Sequence, residues 1–141
     1  MDTLLQSALN GDAHLLFDGG MGTMLQAAGL AAGELPELLC LSDPAHIEAI
    51  HRAYVEAGSD VVTTNTFGAN RFKLHGAATV TEVYTAAVGC ARASGARLVA
   101  ADIGPLGALL RPLGTLSFDD AYDAFAEQAR AASQAGVDLF I

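Results

Sequence analysis

A carboxylate followed by a cluster of glycines lies near the start of the chain. Asp18 follows a short apolar run, and glycines occupy three of the next four positions, at Gly19, Gly20 and Gly22. Glycine lets the backbone approach a ligand closely or adopt a positive φ angle. The exposed N–H groups of such a turn, at the start of a helix, suit a carboxylate or a phosphate. The segment is therefore typical of the floor of a small-molecule site in an α/β enzyme.

Polar residues also end two later apolar runs. One run leads into Asn65, Thr66 and Phe67, and the next ends at Asp102. In parallel α/β folds, ligands bind at the carboxyl ends of the strands. Side chains alternate between the two faces of a strand, so Asp18, Asn65 and Asp102 are expected to converge at one end of the sheet.

Each of these residues also has a structural interpretation. Asp18 could cap a helix that begins near Met21. Asn65 and Thr66 could stabilise their own turn, and Asp102 could serve the Gly-Pro turn that follows it. The glycines could serve a tight turn alone. The sequence GGMGTM lacks the last glycine of a dinucleotide-binding fingerprint, and the chain contains no P-loop.

The histidines and cysteines indicate neither a catalytic group nor a metal site. The four histidines are His14, His46, His51 and His75. None pairs with another at a metal-ligand spacing, and we interpret all four as surface or packing residues. Cys40 and Cys90 are predicted to be reduced, buried thiols. No serine, cysteine or lysine lies in a recognisable nucleophile setting, so we assign no catalytic residue and no metal ligand.

A repeated pattern predicts the elements that position these residues. Three helical stretches end at Gly58, Gly95 and Gly136, each followed by a short apolar run. Glycine after a helix end adopts the left-handed conformation, and the runs that follow suit buried parallel strands. With a first strand at 15–18, the pattern predicts four parallel strands separated by helices.

The helices between the strands have clear start signals and apolar stripes. Asp43 and Pro44 begin the first, Thr79 and Glu82 form a capping box on the second, and Ser117 caps the third. The stripe of the third helix consists of Phe118, Tyr122, Phe125, Ala129 and Ala132. This helical spacing predicts that the stripe packs into the core.

Composition limits the class of protein and its partners. The chain has 141 residues, enough for one ordinary domain or part of one, and 52% of them are hydrophobic. Its net charge of −9 argues against a nucleic acid or an anionic membrane as partner. No apolar run reaches the length of a transmembrane helix. The N-terminus lacks the basic region of a signal peptide, so we expect a cytoplasmic protein.

The chain stops at Ile141, within the fourth predicted strand. A (β/α)8 barrel has eight strands and about 250 residues. We therefore expect residues 1–141 to be a partial domain, the truncated N-terminal half of a (β/α)8 TIM barrel with about four parallel strands.

Four stretches of the chain resemble a known enzyme family. They are DGGMGTMLQ at 18–26, IHRAYVEAGSDVVTTNTFGAN at 50–70, ADIGPLG at 101–107 and AGVDLFI at 135–141. In this order they closely resemble the homocysteine-binding domain of the homocysteine S-methyltransferase family. The stretch after the first glycines is most similar to the cobalamin-dependent methionine synthase branch of that family.

This resemblance implies a substrate, a metal and roles for the candidate residues. Asp18 would face the ammonium group of homocysteine, Thr66 and Phe67 would form the adjacent wall, and Asn65 would be a hydrogen-bonding partner. The carboxylate of homocysteine would meet the backbone of Gly19, Gly20, Met21, Gly22 and Thr23. Together with Asp102, placed by the strand pattern, these residues make up the candidate substrate site.

The resemblance also implies a zinc ion held by three cysteines beyond residue 141, and we carry no metal ligand over to this chain. Zinc would lower the pKa of the homocysteine thiol, and the thiolate would attack the methyl group of methylcobalamin or another donor. Cobalamin and methyltetrahydrofolate are possible cofactors of a longer protein, with folate, cobalamin or reductase modules downstream. We expect residues 1–141 alone to be inactive.

Two other hypotheses remain open from the residues alone. The chain could belong to a different TIM-barrel enzyme, such as an aldolase, whose glycine turn binds a phosphate or a small carboxylate. It could also be a non-catalytic half-barrel that associates with itself or with another half. A lysine at a strand end would favour the first alternative, and a well-folded dimer would favour the second.

Overall fold

A computed structural model of the protein describes residues 2–141. They form an α/β fold around a three-stranded parallel sheet in the order β1-β2-β3. The strands are β1 (Val61–Thr63), β2 (Leu98–Ala101) and β3 (Leu139–Phe140). The helices are α1 (Thr3–Leu9), α2 (Met21–Ala27), α3 (Leu39–Ser42), α4 (Pro44–Glu56), α5 (Arg71–Leu74), α6 (Val80–Ala93) and α7 (Phe118–Ala135), with a 3-10 turn at Pro36–Leu38 before α3.

The sheet is parallel because the helices between β1 and β2 and between β2 and β3 return the chain to the same edge. Val61 pairs with Leu98, and Ala100 pairs with Leu139. Every residue of β2 is buried, as expected for a strand covered on both faces. The carboxyl ends of β1 and β2 therefore lie side by side.

The predicted first strand at 15–18 forms only a single parallel bridge, between Phe17 and Val61. The Asp18 N–H donates to the Val61 carbonyl at 3.0 Å. On the other side, the Leu16 N–H donates to the carboxylate of Asp60 at 2.9 Å rather than to a backbone carbonyl. The backbone hydrogen bonds between residues 15–18 and β1 do not extend beyond this bridge. The sheet therefore has three strands and a bridge instead of the four strands we predicted.

Most predicted helix boundaries are confirmed. Thr79 and Glu82 form the capping box of α6, and the Ser117 hydroxyl accepts the Asp120 N–H at the start of α7. Gly136 has a φ of 88° and ends α7 in the left-handed conformation. Asp43 precedes α4 as expected, but its side chain makes no capping hydrogen bond.

The predicted core stripe of α7 is wrong for its three aromatic residues. Phe118, Tyr122 and Phe125 are 71%, 65% and 41% exposed. The buried residues of α7 are Ala121, Ala124, Gln128, Ala131 and Ala132. Small side chains on the buried face let α7 pack closely against the adjacent elements. The larger aromatic side chains lie on the next face of the helix, which is exposed.

Within residues 2–141, no helix is long and apolar enough to span a membrane.

Candidate functional site

A cavity of about 340 Å³ lies at the carboxyl ends of β1 and β2. It is lined by Gly19, Gly20, Met21, Gly22, Pro36, Thr63, Thr64, Asn65, Thr66, Phe67 and Asp102. The structure thus brings the glycine turn and the ends of two strands around one cavity. Of the residues that the sequence placed in the site, only Asp18 and Thr23 do not line it.

Asp18 lies immediately behind the cavity wall. Its carboxylate accepts the backbone N–H of Thr63 at 2.9 Å and the Thr63 hydroxyl at 2.8 Å. Its side chain is only 3% exposed. Burial raises the pKa of Asp18, and the two hydrogen bonds from Thr63 partly oppose this rise. Asp18 does not cap α2, because Gly20 occupies the N-cap position and no side chain caps this helix.

A closed ring of hydrogen bonds joins the ends of β1 and β2. The Asp102 N–H donates to the Thr64 hydroxyl at 3.2 Å, and the two threonine hydroxyls of Thr64 and Thr66 are 2.6 Å apart. The Thr66 hydroxyl completes the ring by donating to the Asp102 carbonyl at 2.7 Å. Thr66 therefore holds the backbone of Asp102 in position beside the cavity.

The carboxyl group of Asp102 is half-buried on the cavity wall. Burial raises its pKa most, followed by the negative charges of Asp18 and Glu37. Within residues 2–141, no lysine or arginine forms an ion pair with Asp18 or Asp102. This end of the sheet therefore concentrates negative charge, and in the described part of the chain neither carboxylate is paired with a protein cation.

Asn65 and Glu37 fix the segment that closes one side of the cavity. The Asn65 side-chain amide donates to the Pro36 carbonyl at 2.7 Å. Glu37 is buried, and one of its carboxylate oxygens accepts the Gly68 N–H at 2.6 Å while the other has no hydrogen-bond partner. A Cβ atom at Gly68 would lie 2.5 Å from Glu37 Oε1, so a larger residue there would require this carboxylate to move.

Phe67 is held at the mouth of the cavity from two sides. The Lys73 ammonium lies 5.4 Å from the centre of its ring, within the range of a cation–π contact. A Cβ atom at Gly104 would lie 2.3 Å from the Phe67 carbonyl oxygen. The close approach of Gly104 therefore determines where Phe67 can lie.

The glycine turn is anchored from α4. The Gly20 carbonyl accepts the Tyr54 hydroxyl at 3.2 Å and the Thr23 hydroxyl at 3.2 Å. A Cβ atom at Gly19 would lie 2.8 Å from the Tyr54 oxygen. Gly19 is thus required by close contact rather than by a positive φ angle, and Thr23 stabilises the turn instead of lining the cavity.

Five residues around this site were not among the predicted site residues: Pro36, Glu37, His51, Thr63 and Thr64. His51 is completely buried, with Nδ1 4.0 Å from the nearest oxygen of Asp18. The hydroxyl of Thr63 could have been proposed as a partner of Asp18, since both end neighbouring strands. Nothing in the local sequence distinguishes Glu37 or His51 from ordinary helix residues.

The cysteines do not form a metal site. Cys40 in α3 and Cys90 in α6 are both free and buried in one apolar cluster, as predicted. A hydrogen bond with Cys90, together with burial, raises the pKa of the Cys40 thiol. Within the part of the chain that the structure describes, no three histidine, cysteine or acidic side chains are grouped to hold a metal ion.

The fold and the site define an α/β domain with a cavity at the carboxyl ends of its parallel strands. Residues 15–141 match the family model described as homocysteine S-methyltransferase, so the chain belongs to the homocysteine S-methyltransferase family. Family membership favours the resemblance we identified over the aldolase hypothesis.

Curated relatives and solved structures agree with this assignment. The methionine synthases of Mycobacterium tuberculosis (strain ATCC 25618 / H37Rv) and Mycobacterium leprae (strain TN) are 43% and 42% identical to the chain over 76 residues. Each match covers 50% of this chain and 6% of the relative.

The oxidized form of the homocysteine methyltransferase MmuM from Escherichia coli has a similar fold, with a TM-score of 0.81 at 22% identity. That match covers 99% of this chain and 56% of MmuM. The metallated form of MmuM gives a TM-score of 0.76 at 24% identity, over 94% of this chain and 55% of MmuM. The chain thus spans about half of MmuM and a small part of the methionine synthases, and the structural likeness concerns the fold.

Proposed function

We propose that the chain supplies the part of a homocysteine S-methyltransferase, of the methionine synthase type, that binds the amino-acid end of homocysteine. The observation that carries this proposal is the single cavity shared by the glycine turn, the end of β1 and Asp102. Each of these segments resembles the family, and they are far apart in sequence. Their meeting at the carboxyl ends of the strands is what an amino-acid site in this family requires.

The charges around the cavity suit the ammonium group of an amino acid. Asp18 and Asp102 bring two carboxyl groups close enough for the charge of one to raise the pKa of the other. A bound ammonium would offset this repulsion, because opposite charges stabilise the ionised carboxylates. We propose that Asp102 on the cavity wall receives the ammonium, with the charge of Asp18 acting from behind the wall and with Asn65, Thr66 and Phe67 beside it.

The carboxylate of homocysteine is proposed to meet the backbone of the glycine turn. Gly19, Gly20, Met21 and Gly22 line the cavity with little side-chain bulk. The Tyr54 hydroxyl holds this turn through the Gly20 carbonyl. The turn is therefore fixed before ligand binds, and a fixed site loses less entropy on binding than a mobile one.

The residues of this chain do not fit a zinc site. Cys40 and Cys90 are buried in an apolar cluster and neither lines the cavity; the Cys40 thiol contacts Asn65 from behind the cavity wall. A bound zinc ion would lower the pKa of the homocysteine thiol and so favour the reactive thiolate. We propose that its ligands lie in protein beyond residue 141, together with any groups that bind methylcobalamin or methyltetrahydrofolate. We also propose that the complete protein is cytoplasmic and that it forms methionine.

We also propose that the sheet is part of a (β/α)8 barrel. The strands follow one another in chain order, and the fold matches about half of MmuM. The exposed aromatic face of α7 supports this proposal, because an apolar face of this size is normally covered in a completed fold.

Titration of the isotope-labelled chain with reduced L-homocysteine tests the proposed site. Backbone NMR signals of Gly19, Gly22, Asn65 and Asp102 are expected to shift together and to saturate. 4-Mercaptobutanoate, which lacks the amino group, should bind at least about tenfold more weakly, because the charged hydrogen bonds to ammonium are lost. The proposal would be abandoned if homocysteine produced no saturable shifts at these positions, or if both compounds bound equally well.

A further inference from the structure

His51 is a buried polar residue that no part of the proposed function uses. It lies on α4 beside Ile47 and Ile50, and its side chain has no exposed surface. Neither ring nitrogen has a hydrogen-bond partner. Burying a polar group without a partner costs free energy, and such groups in folded proteins usually have a specific role.

The polar group that faces the ring is the carboxylate of Asp18. His51 Nδ1 lies 4.0 Å from Asp18 Oδ2, slightly beyond hydrogen-bond distance. Thr63 already donates one hydrogen bond to each oxygen of this carboxylate. Since a carboxylate can accept about four hydrogen bonds, Oδ2 has room for a further donor.

We propose that His51 is a positioning residue for Asp18, with a neutral imidazole that carries its proton on Nδ1 and directs it at Asp18 Oδ2. The carboxylate is then held between His51 on one side and Thr63 on the other, and a small ring movement closes the hydrogen bond. The role in ligand binding rests on the proposed function, whereas the contact between His51 and Asp18 does not.

The titratable groups around Asp18 agree with a neutral donor. Burial lowers the pKa of His51 to about 4, so the ring is uncharged near pH 7. Burial raises the pKa of Asp18, and the charged groups that raise the pKa of the neighbouring Asp102 are the acids Asp18 and Glu37. An Nδ1–H donor would favour the ionised form of Asp18, so its loss should raise the pH at which Asp18 takes up a proton.

The tautomer of His51 can be measured in the unmodified chain. Side-chain nitrogen NMR at pH 7 distinguishes a proton on Nδ1 from one on Nε2. We expect the Nδ1 tautomer, which is the less common one for a free imidazole. A proton on Nε2 would overturn the proposal, and this measurement needs neither a variant nor a ligand.

Two variants test the consequence for Asp18. His51→Asn keeps a side-chain N–H near the position of Nδ1, whereas His51→Leu removes it. The Asp18 carboxyl signal should titrate at a higher pH in His51→Leu, and His51→Asn should restore the wild-type midpoint. His46→Leu, at a partly exposed histidine on the same helix, is the matched control and should leave Asp18 unchanged. Equal midpoints in all four proteins would contradict a positioning role.

Ligand binding gives an independent measurement. His51→Leu should weaken homocysteine binding about tenfold, because Asp18 loses a donor that keeps it ionised and oriented. His51→Asn should recover most of this loss, and the affinity for 4-mercaptobutanoate should change little. If the wild-type chain does not bind homocysteine, the proposed function fails, while the tautomer and the Asp18 titration still decide the role of His51.

Discussion

Thr63→Val is the substitution that most directly tests how the chain holds Asp18. Valine keeps the branched shape of threonine and removes only the hydroxyl that donates to Asp18 Oδ1 at 2.8 Å. The backbone N–H of residue 63 still donates to Oδ2. A hydrogen bond to a charged group contributes about 1.5–3 kcal/mol, so the free energy of unfolding at pH 7 should fall by about this amount.

The size of this loss should depend on pH. Burial raises the pKa of Asp18 above its ordinary value of 3.8, so the folded chain binds this proton more tightly than the unfolded chain does. The resulting stabilisation is fully present below pH 3.8 and disappears as the pH rises through the folded-state pKa. Thr63→Val removes a hydrogen bond that lowers this pKa, so the stability of the variant should decline more steeply with rising pH. At pH 3 only a neutral hydrogen bond is lost, and the difference should shrink to about 0.5–1.5 kcal/mol.

Urea unfolding followed by circular dichroism at pH 7 and pH 3 measures both values. Thr81→Val, the same substitution at an exposed position of α6, is the matched control and should change the free energy of unfolding by less than about 0.5 kcal/mol. The reasoning is refuted if Thr63→Val costs no more than this control at pH 7, or if its cost is as large at pH 3 as at pH 7.

Three further outcomes follow from packing and burial. Gly104→Ala should lower the free energy of unfolding by about 1–3 kcal/mol, because its Cβ would lie 2.3 Å from a backbone oxygen of the cavity wall. Gly89→Ala on α6, where nothing lies within 4 Å, should instead stabilise the chain by about 0.5–1 kcal/mol; a similar loss for both would disprove the packing argument. Phe125→Ser should cost less than about 1 kcal/mol in urea unfolding, since the ring is exposed, and a loss of about 3 kcal/mol would show that it is buried in solution. Cys40 and Cys90 should react with a thiol reagent in urea but not in the native chain, because both are buried and the pKa of the Cys40 thiol is raised; rapid labelling of the folded protein would contradict this.

Patterns within a few residues were sufficient to predict the ends of most elements. The capping box of Thr79 and Glu82 spans three residues, and Gly136 ends α7 through its own backbone conformation. These interactions depend only on neighbours in the sequence, so the sequence alone determines them. The alternation of helices and short apolar runs likewise predicted a parallel sheet, and the polar residues after β1 and β2 predicted which end of the sheet has the cavity.

Contacts between distant segments required the tertiary structure. The carboxylate of Asp18 meets Thr63 across 45 residues, and that of Glu37 meets Gly68 across 31. Neither pairing leaves a periodic signal, because each joins one residue to one partner that the fold brings close.

The aromatic face of α7 shows the same limit. Helical spacing predicted one core stripe that contained the aromatic rings, whereas packing buries a neighbouring face made mostly of alanines. The sequence by itself therefore determined most of the elements, the family and most of the cavity lining. Only the tertiary structure decided which face of α7 is buried, that the segment at 15–18 forms a bridge instead of a strand, and that His51 lies against Asp18. Each of these depends on the free energy of contacts between segments that are distant along the chain.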